Sequence, residues 1–173
     1  MTALAIFQLH LILGYLPWLL VMGAYVWPRL GSMDRVAVHR AFAALHSFRF
    51  FGLVFLVPGV VGPDLPPGFA AFAAYGDFAT GILAMLAVMA AGRQPLFWSL
   101  VVAFNVVGAV DIVVDYMHGA QLGLAPGQLG AAYGIVIIYV PLLLITHVTA
   151  FVLLLRQTRR AGIPSGQRAG IAR

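Results

Sequence analysis

Apolar residues run through this chain in five long blocks, roughly residues 4–27, 41–62, 69–91, 96–117 and 131–155. Between them lie "WPRLGSMDR", "GPDLPPG", "AGRQP" and "GAQLGLAPGQLG", stretches rich in the Gly and Pro that interrupt regular structure. A helix rising about 1.5 Å per residue needs about 20 apolar residues to cross a bilayer. Each block meets that length. The pattern predicts an all-α fold: a polytopic membrane protein with a bundle of five transmembrane helices, filling residues 1–156. The second helix is expected to start ahead of its apolar block, with Ser32 or Asp34 as N-cap. Residues 157–173 contain Gly, Arg, Ser and Pro164 and read as a basic, disordered tail. The first block has no basic leader and is too long for a signal peptide, so it reads as a retained span.

Within the fourth block, "FNVVGAVDIVVDYMHG" breaks the apolar pattern with Asn105, Asp111, Asp115 and His118. The last three follow at i, i+4 and i+7, one face of a helix, and Gly108 continues that stripe backwards.

Arginine placement sets an orientation. Arg29, Arg35 and Arg40 flank the first connection, Arg93 marks the third, and Arg156, Arg159, Arg160, Arg168 and Arg173 follow the fifth block. The second and fourth connections carry only Asp64 and His118. Basic loops stay cytoplasmic, which puts the N-terminus outside and the C-terminus in the cytoplasm. Trp27 and Trp98 then lie at the inner interface, and Tyr75, Tyr116 and Tyr133 at the outer one. Gly130 and Gly134 form a GxxxG pair, read as a close packing contact within the bundle ahead of a dimer face.

Composition agrees with a membrane protein: 62% hydrophobic and 9% charged residues, against roughly 45–50% and about 25% in soluble domains. The absence of Cys excludes disulfides, iron–sulfur clusters and covalent c-type haem. There is no Lys, so no retinal or pyridoxal Schiff base can form. The net charge of +5 comes from arginines between and after apolar runs, which argues against a nucleic-acid partner and for the lipid bilayer.

Counting depth along each helix from the outer end places Asp115 and His118 at the rim. Asp111 and His10 follow at about 9 Å, Asp77 at about 12 Å, Asn105 at about 18 Å, Arg49 at about 20 Å, and His46 and His147 near 24 Å. A charge at mid-bilayer costs about 2.5–3.5 kcal/mol on insertion scales, so these groups should face the bundle interior. Arg49 has the reach to pair with Asp77. Asp111 should lie inside and Asp115 at the water boundary.

Arg49, Asp77, Asn105, Asp111 and His147 are therefore candidates for a substrate or proton pathway, with Tyr15 and Tyr139 as further lining. Two cofactor readings stand beside it. His46 and His147, at similar depth on different helices, could ligate a b-type haem. His10, Asp111, Asp115 and His118 could hold a divalent metal. Gly-rich phosphate loops, Ser–His–Asp order and glycosidase-like carboxylate pairs have no candidate here.

The blocks "LHSFRFFGLVFLVPGVV", "AAYGDFATGILA", "FNVVGAVD", "APGQLGAAY" and "VPLLLITHV" resemble those of an uncharacterised family of small bacterial polytopic integral membrane proteins. The resemblance spans residues 45 to 155. Its pattern takes in His46, Arg49, Asp77, Asn105, Asp111 and His147, but not Asp115 or His118. It implies a multi-pass protein of the bacterial inner membrane and no particular activity. The expected function is an intramembrane Asp/Arg/His site that binds or moves a proton, cation or small polar solute. The alternatives are a haem b- or quinone-binding redox subunit, and a non-catalytic accessory subunit of a larger membrane complex. A homo-oligomer is compatible with all three.

Overall fold

The structure is a computed structural model that describes residues 1–161, with side chains to Arg156. It is all-α, and no strand occurs among the described residues. Helix α1 spans Ala3–Leu30, with Thr2 as its N-cap and a π-helical stretch at Met22–Val26. Helix α2 spans Arg35–His46, and its Asp34 cap accepts a hydrogen bond from the Ala37 amide at 2.9 Å. Helices α3 (Pro67–Met89) and α4 (Gln94–Leu122) follow, and α4 ends at Gly123 with a positive φ of 61°. Helix α5, Val140–Ala161, is entered through a helical turn at Pro126–Leu129 and a π-helical stretch at Ile135–Tyr139.

Four helices are long and apolar enough to cross a membrane: Ala3–Leu30, Pro67–Met89, Gln94–Leu122 and Ile135–Arg156. The expected span at 41–62 is not among them. After His46 the chain tightens into a 3₁₀ helix, Ser47–Leu56, and turns extended at Val57. Ten residues is long for a 3₁₀ helix, which normally runs three or four. This stretch holds Arg49 and lies against α3, where Gly81 sets no side chain between it and the backbone of Phe50. The last helix reaches Ala161, five residues into the segment expected as a tail; residues 162–173 lie outside the described ones.

The bundle has two distinct ends. At one, Arg156 lies 5.0 Å over the Trp27 ring and Trp98 meets His39 edge-on. At the other, the Gly62 amide donates to the Gln128 carbonyl and Ala131 to Val60. Gly130 belongs to this second contact. Its φ is 53°, and a Cβ there would strike the Val60 carbonyl. Gly134 has nothing within 4 Å of its would-be Cβ, so the GxxxG pair packs one glycine against a loop and builds no helix–helix seam. Apolar side chains remain exposed along the helices, Ile12 at 69% and Leu20 at 65% among them, as lipid-facing residues would be.

Candidate functional site: a buried arginine between three acids

Arg49 is the largest fully buried side chain among the described residues. Its Nε donates to Asp77 Oδ1 at 2.5 Å and its Nη2 to Asp111 Oδ2 at 2.5 Å. Its Nη1 donates to the Gly108 carbonyl at 3.1 Å and lies 3.4 Å from His147 Nε2. One guanidinium thus ties α2's 3₁₀ continuation to α3, α4 and α5. The Arg49–Asp77 pairing and the interior position of Asp111 both follow the depth count.

Three glycines leave room for this node. A Cβ at Gly52 would collide with the Asp77 carboxyl, and one at Gly76 with Asp111 Oδ1. At Gly108 it would lie 2.5 Å from both Arg49 Nη1 and His147 Nε2. Gly108 was visible in the α4 stripe; Gly52 and Gly76 carried no signal of their own, because the need for them comes from the neighbouring helix.

The polar network continues towards the arginine-rich end. His147 Nδ1 pairs with Asn105 Oδ1 at 2.9 Å, and Asn105 Nδ2 donates to the Val101 carbonyl at 2.8 Å. These partners assign the His147 proton to Nδ1 and leave Nε2 to face Arg49. His46 Nε2 lies 3.0 Å from Thr146 Oγ1, whose own proton serves the Leu142 and Leu143 carbonyls, so His46 donates. His46 Nδ1 is buried with no partner.

The two imidazoles contact each other, with ring centroids 4.0 Å apart and planes 31° apart. Axial haem ligands aim their nitrogens at an iron between them, with a macrocycle separating the rings. Here the tilted rings are in direct contact with no room for a macrocycle between them, and both are held by protein partners. His46 and His147 do not fit a haem in this arrangement.

The metal reading fails on placement. His10 Nδ1 is bonded to the Tyr133 hydroxyl at 2.6 Å, and His118 sits edge-on between Phe69 and Phe72. Asp111 is bound to Arg49. Among the described residues no three His, Cys, Asp or Glu side chains are grouped to hold an ion.

Asp115 stands apart from the two acids that Arg49 binds. It is half-buried, and its Oδ1, like that of Asp111, is shielded without a hydrogen-bond partner. It lines a cavity of about 320 Å³ together with Arg49, Asp77 and Tyr116. The remaining wall is mostly apolar, Phe7, Phe55, Phe69 and Leu124 among it. Of the tyrosines expected as lining, Tyr15 donates to Tyr116 at 3.0 Å, while Tyr139 donates to the Leu45 carbonyl at 3.1 Å, away from this cavity.

Residues 6–155 match a domain of unknown function, DUF8737. The chain belongs to that family. The match covers all five helices and every residue of the Arg49 node, and agrees with the resemblance to an uncharacterised family. No curated protein matches the chain, and no solved structure does.

Proposed function

We propose that this member of the family is a multi-pass protein of a bacterial inner membrane that binds or moves a proton or small cation through the Asp115 cavity. Residues 35–56 form its fifth crossing: the α-helical part supplies roughly 18 Å of rise and the 3₁₀ part roughly 20 Å, against a hydrocarbon core of about 30 Å. The N-terminus lies outside and the arginine-rich end faces the cytoplasm, so the cavity belongs to the outer half.

One observation carries the ligand class. Asp77, Asp111 and Asp115 gather around a single buried cation, Arg49. With all three ionised, two negative charges stand in excess. A low-dielectric interior does not tolerate unpaired charge, so the balance is made up by protons or by a cation. Asp111 and Asp115 each keep a carboxylate oxygen without a partner, and of the two Asp115 lines the cavity, so it is where that charge arrives. Anions are disfavoured by the same count. The apolar lining suits a cation with an apolar body, such as a small alkylamine, and it is also the support for the alternative of a quinone headgroup.

Proteoliposomes with a trapped pH-sensitive dye test the proposal. The protein should carry protons, sodium or a primary alkylamine faster than empty vesicles do, and Asp115→Asn should return the flux to the empty-vesicle level. Wild-type protein no faster than empty vesicles with all three would contradict it. A quinone in the lipid extract of the purified protein would favour the alternative.

A further inference from the structure

His39 was not singled out by its place in the sequence, yet it is fully buried and neither of its ring nitrogens has a hydrogen-bond partner. A buried imidazole without partners leaves a donor and an acceptor unmet, which native interiors rarely tolerate. The ring lines a cavity of about 380 Å³ at the arginine-rich end, separate from the Asp115 cavity. Arg35 from α2 and Arg156 from α5 line the same space, with Trp27 on its wall. Among the described residues neither guanidinium meets a carboxylate. Asp34, the nearest acid in sequence, caps α2 through the Ala37 amide and is not part of the lining.

We infer that this cavity is a binding site for a phosphate group. Two arginines offer forked donors matched to phosphate oxygens, and the unpartnered His39 ring borders the same space. Basic pockets between helices at the cytoplasmic face commonly take phospholipid headgroups, and a soluble phosphate would meet the same donors. The volume falls within the about 300–1,000 Å³ typical of small-ligand sites. The site does not depend on the proton or cation reading of the Asp115 cavity.

Trp27 lines the pocket and Trp98 contacts His39, so tryptophan fluorescence reports on it. Trp18, bonded to the Ile138 carbonyl, is removed as background by Trp18→Phe. The full-length protein is placed in phosphatidylcholine nanodiscs, and phosphatidylglycerol is raised stepwise. In a parallel arm, inorganic phosphate is titrated into phosphatidylcholine discs against chloride at matched ionic strength. A saturable change in the first arm alone identifies a lipid headgroup, and one in the second identifies a soluble phosphate. Arg35→Gln and Arg156→Gln should each weaken that response about fivefold, and His39→Phe should weaken it with thermal unfolding unchanged or improved. Single substitutions at the exposed arginines keep the test valid if His39→Phe does not fold. A folded wild type that answers neither titration, or a response unchanged in both arginine variants, would overturn the site.

Discussion

At one end of the bundle a cavity of about 320 Å³ closes on Arg49, Asp77 and Asp115; at the other, one of about 380 Å³ is bordered by Arg35, Arg156 and His39. Both contain arginine, but in opposite roles. Arg49 is 2% exposed and spends its donors on two carboxylates, a carbonyl and an imidazole contact. It has become part of the wall, and the excess charge facing its cavity is negative. Arg35 and Arg156 are exposed and have no acid to meet among the described residues, so their charge is on offer. Depth and pairing, more than residue type, set the sign of what each end can bind.

The largest effect that could break this contrast lies at Arg49. Arg49→Leu strands two carboxylates and should cost about 3–5 kcal/mol, seen as lost folded protein in detergent or a large fall in thermal unfolding temperature. Adding Asp77→Asn and Asp111→Asn should recover much of it. Arg35→Gln, at the other end, should lie within about 0.5 kcal/mol of wild type. If the two arginine variants lose similar stability, the distinction between wall and offered charge is wrong.

Next come the glycines. Gly76→Ala and Gly108→Ala force a methyl group into the Asp111 and Arg49–His147 contacts and should each cost about 1–3 kcal/mol. Gly68→Ala, with open space around it on the same helix as Gly76, should be neutral or slightly stabilising in the same unfolding assay. Asn105→Leu, which removes the partner of His147 Nδ1, should cost about 1–3 kcal/mol. Asp115→Asn is the smallest in stability, because its Oδ1 has no bond to lose.

Much of this was readable in the chain, and the unread part has a common cause. Apolar runs and their breakers placed the four long helices, Asp34 announced the α2 cap, and counting about 1.5 Å per residue brought Arg49 to Asp77 and Asp111 inward. Depth along a helix is a local property. Rotation about it, and local tightening, are not. Asp115 was read as a rim residue by its depth, and depth alone did not show that it lines a cavity with Phe7 of α1 and Phe55 of the 3₁₀ stretch. The 3₁₀ stretch lies where Gly52 and Gly81 bring α2's continuation against α3, a partner invisible from residues 47–56 alone. His46 and His147 were correctly set at one depth, yet a shared depth did not reveal that their rings would touch and leave no place for haem.

The proposal rests on Asp115 taking up a proton or a small cation in the cavity it lines with Arg49 and Asp77, so that an arriving cation displaces a proton. The most direct measurement is proton release on titrating a small alkylamine, or sodium, into lightly buffered, detergent-solubilised protein. Wild type should release up to one proton per cation bound, and Asp115→Asn, folded and of near-normal stability, should release none. Equal release from the two proteins, or no cation binding by the wild type, would contradict the account.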